Sequence, residues 1–201
     1  MRKAVCPCAG YERLKPDDDC MREECGVFGS YTNGSGQDAA EAAYYGLFAL
    51  QHRGQESAGI AVSRKGKIDC HKAMGLVSGR FCDGLGSLKG SNLAIGHVRY
   101  STMGDSLLVN AQPLVVDSPL GQLALAHNGN IINAKELRTE LEAEGLTFQT
   151  TIDSEIIAHL IAKNSKKGLV DGISQAMERL KGSYALVLMT KDTLIGVRDP
   201  K

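Results

Sequence analysis

The chain has 201 residues, 43% of them hydrophobic and 23% charged, and its 23 basic residues balance its 23 acidic ones. This composition is typical of a globular domain, and the neutral balance argues against a nucleic-acid partner, because domains that neutralise phosphate backbones carry a basic surplus. The longest apolar run, at residues 184–189, has six residues, whereas a membrane-spanning helix needs about 20. We therefore expect neither nucleic acid nor membrane among its partners.

Residues 1–24 differ in composition from the rest of the chain. They contain Cys6, Cys8 and Cys20 and show no periodic apolar pattern, which is typical of an irregular polar leader. The segment lacks the apolar core of about 7–15 residues that a secretory signal requires, so the sequence predicts a cytoplasmic protein with reduced cysteines. A metal site formed by these cysteines is an alternative, although their Cys-x-Cys spacing differs from the paired Cys-x-x-Cys of zinc sites.

The predicted elements of the first half of the chain are mostly strands, inferred from short apolar runs bounded by turn residues. In chain order they are a strand at 26–31, a helix over 37–51, a hairpin of strands at 57–63 and 67–71, a strand at 93–100 and a strand at 123–127. The helix is indicated by apolar residues at spacings of three and four, and Asp38 can serve its N-terminal turn. The last strand is expected to end in a polar turn at 126–130.

The predicted elements of the second half are mostly helices. In chain order they are a helix that begins at a capping box, Asn133-x-x-Glu136, a helix capped by Asp153, a helix over 170–180 and a hairpin of strands at 184–189 and 194–197. Roughly eight strands, several in direct succession, and four or five helices favour an α+β fold over a doubly wound parallel sheet. In such a fold, antiparallel sheets are covered by helices.

Several polar residues at the ends of these elements could carry chemistry. Cys25 stands at the head of the first strand, and Arg99, the pair Asn128-Gly129 and Asp153 stand at the ends of others. A thiol, a guanidinium, an amide-plus-backbone donor pair and a carboxylate would together suit a zwitterionic amino acid and an acyl oxyanion. Each also has an ordinary structural interpretation: a packed cysteine, a surface ion pair, a type I′ hairpin turn and a helix cap.

Six segments in a fixed order carry a resemblance to a known family. They are Glu-Glu-Cys-Gly-Val-Phe-Gly at 23–29, Gln-His-Arg-Gly-Gln-Glu-Ser-Ala-Gly-Ile at 51–60, Gly-His-Val-Arg-Tyr-Ser-Thr at 96–102, Asn-Ala-Gln-Pro at 110–113, Ala-His-Asn-Gly-Asn at 126–130 and Asp-Ser-Glu at 153–155. Over residues 23–200 the chain resembles the glutaminase half of the amidophosphoribosyltransferases. The segment at 51–60 distinguishes this family from other class II glutamine amidotransferases.

The resemblance implies a fold and a maturation step. The fold would be that of the N-terminal-nucleophile (Ntn) hydrolases, a four-layer αββα sandwich of two antiparallel sheets. Residues 1–24 would be a propeptide removed autocatalytically between Glu24 and Cys25, and residues 25–201 would form the glutaminase domain, with the phosphoribosyltransferase domain absent from this chain. The freed α-amine, whose ordinary pKa is about 7.7–8, could then accept the proton of the thiol on the same residue.

The resemblance also implies which residues catalyse the reaction. Cys25 would attack the side-chain carboxamide of glutamine. The side chain of Asn128 and the backbone N–H of Gly129 would form the oxyanion hole. No histidine would be needed, and His97 and His127 are expected to be structural.

Five further residues are implied to bind the substrate. Arg99 would bind the α-carboxylate of glutamine, with Thr102 assisting, and Asp153 would bind the α-ammonium group. Arg53 and Gly54 would line the pocket and position the new amino terminus.

The resemblance extends to cofactors and partners. This chain itself is expected to hold no cofactor or metal; magnesium and, in some relatives with a propeptide, an iron–sulfur cluster belong to the full-length enzyme, which is expected to be a homo-oligomer. Its ammonia would form 5-phosphoribosylamine from phosphoribosyl pyrophosphate in purine synthesis. Three alternatives stay open: a catalytically silent domain that binds glutamine or a partner with its leader retained, the glutaminase domain of another class II amidotransferase, and a Cys–His hydrolase with His97 or His127 as its base.

Overall fold

The computed structural model describes residues 25–33, 36–81, 84–100 and 106–199. The leader at 1–24, with the three cysteines of the metal alternative and the expected cleavage point, lies outside these residues, as does Thr102. Among the described residues, no helix has the length and apolarity needed to cross a membrane.

The described residues contain eight strands and six α-helices. The strands are β1 (Gly26–Tyr31), β2 (Ser57–Arg64), β3 (Lys67–Met74), β4 (Leu93–Arg99), β5 (Leu114–Ser118), β6 (Gly121–Ile131), β7 (Gly182–Met189) and β8 (Leu194–Arg198). The helices are α1 (Ala39–Ala49), α2 (Val77–Arg80), α3 (Leu85–Leu88), α4 (Ala134–Ala143), α5 (Asp153–Asn164) and α6 (Leu169–Arg179). All strand pairs are antiparallel, in two four-stranded sheets with the orders β1-β4-β2-β3 and β5-β6-β7-β8.

The two sheets and the helices form four layers. α1 lies on the first sheet, against β1, β2 and β4, whereas α5 lies on β5 and β6 of the second sheet and contacts α4 and α6. Three apolar clusters separate the layers, one between the sheets and one beneath each helical layer. The predicted αββα sandwich is therefore confirmed.

Strand β6 shows how the layers position polar residues. Side chains alternate between the two faces of a strand. Leu123 and Leu125 pack toward the helices, and Ala124 and Ala126 pack between the sheets. Continuing this alternation places His127 on the helix face and Asn128 on the face between the sheets.

The expected polar turn at 126–130 is wrong, and so is the alternative of a type I′ hairpin there. β6 continues through Ile131 and stays in register with β7 as far as Gly182. Gly129 makes this possible at a φ of +145°, where a Cβ would lie 2.2 Å from the carbonyl oxygen of Ser183. Only glycine tolerates both that backbone conformation and that approach.

Two of the three expected helix caps differ from the prediction. Asn133 stands at the N-cap of α4, but its side chain donates to the Arg179 carbonyl (2.9 Å) and accepts from the Lys181 N–H (3.0 Å). The amide thus joins α4 to the start of β7, and no capping box forms. Asp153 is the first residue of α5, behind an N-cap at Ile152. Asp38 does cap α1, accepting from the Ala40 N–H at 2.9 Å.

Candidate active site

Four of the residues singled out in the sequence line one cavity, which we call the recess. Cys25 immediately precedes β1, Arg99 ends β4, Gly129 lies near the end of β6 and Asp153 begins α5, and all four border the same cavity. In the first sheet, the pairing of Gly26 with Val98 brings the start of β1 beside the end of β4. Gly129 comes from strand β6 of the second sheet, and Asp153 comes from helix α5, which packs on that sheet.

Cys25 is held through its backbone. The Nε of Arg53 donates to the Cys25 carbonyl oxygen at 2.8 Å, and the Nδ2 of Asn128 donates to the same oxygen at 3.2 Å. The Sγ lies 3.5 Å from the backbone nitrogen of Tyr100 and 3.6 Å from its carbonyl oxygen. The half-buried thiol therefore meets the polar, partly open setting that a reactive cysteine needs.

The segment from Arg53 to Glu56 runs along the backbone of Arg99. A Cβ on Gly54 would lie 2.7 Å from the carbonyl carbon of Arg99, so glycine allows this close approach. Two residues further on, the N–H of Glu56 donates to the Arg99 carbonyl at 3.1 Å. The segment therefore joins Cys25, through Arg53, to Arg99.

The guanidinium of Arg99 forms an ion pair with the carboxylate of Glu56. The two side chains are only 4% and 15% exposed, so the alternative of an ordinary surface ion pair does not describe Arg99. Sequence reasoning missed Glu56 as a site residue. Its presence in the segment 51–60, which distinguishes the family, was the available signal.

The carboxylate of Asp153 is fixed by two residues of β6. One oxygen accepts from the Ile131 N–H at 3.0 Å, and the other lies 3.5 Å from the Nδ1 of His127. Burial opposes the ionisation of Asp153, but hydrogen bonds from His127 and from the N–H groups of Ile131 and Ser154 outweigh it and hold the pKa of the carboxyl below its ordinary value. The recess therefore contains a fixed negative charge.

The two histidines near the recess make structural hydrogen bonds. The Nε2 of His97 is 3.0 Å from the carbonyl oxygen of His127, and the Nδ1 of His127 is 3.0 Å from the hydroxyl of Ser154. The other ring nitrogens have no hydrogen-bond partner among the described residues, so neither imidazole is bonded to Cys25. Burial lowers the pKa of His97 to about 3, which keeps that ring neutral at physiological pH.

The direction of the Gly129 N–H follows from the strand geometry. Alternate residues of an antiparallel strand turn their N–H groups to opposite edges. The N–H of His127 donates to the side chain of Gln112 at 2.7 Å, and that of Ile131 donates to Asp153, both on the edge away from β7. Gly129 lies midway between them, so its N–H points to the same edge, where the recess lies.

The described part of the chain offers no evident metal site. Within the four described ranges, no group of three or more His, Cys, Asp or Glu side chains is placed to hold a metal ion. The polar groups of the recess are instead a thiol, hydrogen-bond donors, a cation and a carboxylate, which suit an organic zwitterion.

Solved structures define the class of protein. The structure of the glutamine phosphoribosylpyrophosphate amidotransferase of Bacillus subtilis, complexed with ADP and GMP, matches with a TM-score of 0.78 and 44% identity, covering 87% of this chain and 37% of that one. Together with the two antiparallel sheets and flanking helices, this match identifies the fold as that of the Ntn-hydrolase amidotransferases.

Sequence comparisons give the family. Residues 97–201, just over half of the chain, match the glutamine amidotransferase domain family, and the chain belongs to it. The amidophosphoribosyltransferase of Synechocystis is 48% identical over 197 residues, covering 96% of this chain and 38% of that protein. Amidophosphoribosyltransferase 3 of Arabidopsis thaliana is 45% identical over 185 residues, covering 92% and 34%. The chain thus spans little more than a third of these relatives, and the resemblance seen in the sequence is confirmed.

Proposed function

We propose that this chain hydrolyses glutamine to glutamate and ammonia, with Cys25 as the nucleophile. The observation that carries the proposal is the convergence of Cys25, Arg99, Gly129 and Asp153 on one recess from four separate elements. A nucleophile, a cation, an oxyanion donor and an anion are the groups that this reaction requires of a site.

In the proposed mechanism, removal of residues 1–24 frees the α-amine of Cys25. The amine takes the thiol proton, and the sulfur attacks the carboxamide carbon of glutamine. The carbon–nitrogen bond then breaks, the proton leaves with ammonia, and water hydrolyses the thioester to glutamate. Two observations support the amine as the base: neither His97 nor His127 is bonded to Cys25 among the described residues, and Arg53 and Asn128 hold the Cys25 backbone in place.

Substrate binding would use the two charges of the recess. Arg99 would receive the α-carboxylate of glutamine, with Thr102 assisting, and Asp153 would receive the α-ammonium group. The lowered pKa of Asp153 supports this role, because the carboxylate stays ionised where glutamine is a zwitterion. Gly54 supports it indirectly, since its close approach fixes the backbone of Arg99.

The developing oxyanion would be stabilised by Asn128 and Gly129. Two observations support this role: Gly129 borders the recess, and the side chain of Asn128 lies beside Cys25. One Asn128 N–H already donates to the Cys25 carbonyl, and an amide nitrogen carries a second N–H that can donate to the substrate.

The names of the relatives support a role within a larger enzyme. We propose that the ammonia serves a phosphoribosyltransferase half, which forms 5-phosphoribosylamine from phosphoribosyl pyrophosphate in purine synthesis. Magnesium, any iron–sulfur cluster and homo-oligomeric assembly would belong to that full-length protein.

A glutamine-mimicking electrophile tests the nucleophile. We expect a diazoketone analogue of glutamine to block glutaminase activity and to label Cys25, as mapped by peptide mass spectrometry. Cys25→Ser should keep the fold, lose the activity and take no label. Cys70→Ser is the matched control and should change none of these. Glutaminase activity retained by Cys25→Ser would contradict the proposal.

A further inference from the structure

Residues 110–112 contain two buried amide side chains that the proposed chemistry does not use. Asn110 is 0% exposed and Gln112 is 5% exposed. A buried amide needs hydrogen-bond partners, so the partners show what each side chain holds in place.

Gln112 binds the backbone of β6. Its Oε1 accepts from the His127 N–H at 2.7 Å, and its Nε2 lies 3.3 Å from the His127 carbonyl oxygen. The last β5–β6 pair is Leu114 with Leu125, so continuing the register places Gln112 opposite His127. The Gln112 side chain therefore makes the two bonds that a strand backbone would make, directly before Asn128 and Gly129.

The backbone of Gln112 is fixed against the other sheet. Its carbonyl oxygen lies 2.1 Å from the point where a Cβ on Gly59 would stand, so glycine in β2 permits the contact. The neighbouring Ala111 carbonyl accepts from the Nζ of Lys72 at 2.9 Å. Gln112 thus connects the first sheet to the part of β6 that contains Asn128 and Gly129.

Asn110 binds the loop that precedes α5. Its Nδ2 donates to the Thr151 hydroxyl at 3.0 Å, and its Oδ1 accepts from the Thr151 N–H at 3.1 Å. Thr151 lies two residues before Asp153. The same short segment therefore holds, through a second two-point bond, the loop that leads to Asp153, whose carboxylate also accepts from the Ile131 N–H of β6.

We propose that Asn110 and Gln112 are positioning residues that form an amide clamp, which fixes the distance between the oxyanion donors and Asp153. This inference rests on the proposed function. Gln112 acts through His127 on Asn128 and Gly129, whereas Asn110 acts through Thr151 on Asp153. The protein groups that would bind the carboxamide and the α-ammonium group of glutamine are thereby held at a fixed distance from each other.

The clamp predicts opposite kinetic defects for two variants of one segment. Gln112→Met should lower kcat about ten- to hundredfold with KM changed less than about threefold, because displaced oxyanion donors act in the transition state. Asn110→Leu should raise KM for glutamine about tenfold with kcat nearly unchanged, because a displaced Asp153 weakens binding of the ammonium group. Gln122→Met is the matched control: its amide also makes a backbone bond, to the Ile68 N–H at 3.0 Å, but at the far end of β6.

Amide hydrogen exchange tests the clamp without relying on activity. Gln112→Met should speed exchange in residues 127–131 and leave exchange in residues 150–153 unchanged. Asn110→Leu should speed exchange in residues 150–153 and leave exchange in residues 127–131 unchanged. If kcat falls and KM rises together in both variants, or if exchange rises equally in both segments, the clamp is refuted and the residues are merely structural. If the unsubstituted protein lacks glutaminase activity while the exchange pattern holds, the proposed function fails and the clamp geometry stands.

Discussion

Replacing Asp153 by asparagine tests how the site recognises the substrate. Asparagine has the same size, and its side-chain oxygen can still accept from the Ile131 N–H, which lies 3.0 Å from Asp153. The fold should therefore survive, while the negative charge proposed to bind the ammonium group is lost. A hydrogen bond to a charged group contributes about 1.5–3 kcal/mol, which corresponds to about a ten- to hundredfold rise in KM.

Steady-state glutaminase kinetics measure this effect directly. We expect Asp153→Asn to raise KM for glutamine and to leave kcat within about threefold, since in the proposed binding mode the charge contacts a part of glutamine that does not react. Glutaramate, which lacks the α-amine, should inhibit the variant and the unsubstituted protein equally. Asp117→Asn, at an exposed position on β5, is the matched control and should change neither constant.

Two results would refute this reasoning. KM for glutamine could stay unchanged in Asp153→Asn, in which case the carboxylate does not face the ammonium group. Alternatively, glutaramate could lose as much affinity as glutamine, in which case the substitution disturbs the recess in general.

Three further substitutions follow from the geometry. Arg99→Lys should raise KM for glutamine about tenfold, because an ammonium cannot make the two-point bond of a guanidinium; an unchanged KM would contradict the carboxylate assignment. Gly129→Ala should lower the melting temperature by about 5–15 °C, since its Cβ would meet the Ser183 carbonyl at 2.2 Å; calorimetry that finds no change would contradict the course of β6. Burial opposes the ionisation of Glu155, but the His159 ring, 3.6 Å from the carboxylate, and hydrogen bonds from Gln149 and Thr150 lower its pKa to about 2. The stability that the ionised carboxylate confers is therefore complete above its ordinary pKa of 4.5 and is lost as the pH falls toward 2. Glu155→Gln should therefore destabilise the fold at pH 7 but hardly at pH 2.5, and an equal loss at both pH values would contradict the lowered pKa.

Local patterns predicted most of the fold. β1 has the predicted bounds because its apolar run is bounded by a cysteine and a turn, and β2 and β3 form the predicted hairpin. β5 was missed, since the short run at Leu114–Ser118 follows a proline and lies near other turn residues. α2 and α3 have four residues each, which is too short for a helical period to be visible.

The sequence singled out four residues that line the recess, but it did not reveal how they pair. The family segments identified Cys25, Arg99 and Asp153, whereas the ion pair between Arg99 and Glu56 joins residues 43 positions apart. That pair depends on the register of β2 and β4, in which Ser57 lies opposite Arg99. No local pattern in a sequence specifies such a register.

The same limit explains the error at 126–130. Polar residues usually indicate a turn, and β6 is polar here because it passes the recess. The strand continues because Gly129 accepts a positive φ and because the side chain of Gln112 replaces a neighbouring strand at His127. Both causes depend on contacts between residues that are distant in the sequence, so a local pattern does not reveal them.

The N-terminus of the active protein tests the central claim most directly. Intact-mass spectrometry on fractions of increasing maturation gives the share of chains that begin at Cys25, and a glutaminase assay gives the specific activity of each fraction. We predict that activity rises in proportion to that share and is absent from chains that keep residues 1–24. Full activity in chains that retain Glu24 would contradict the account, because an amide nitrogen cannot serve as the base for the thiol.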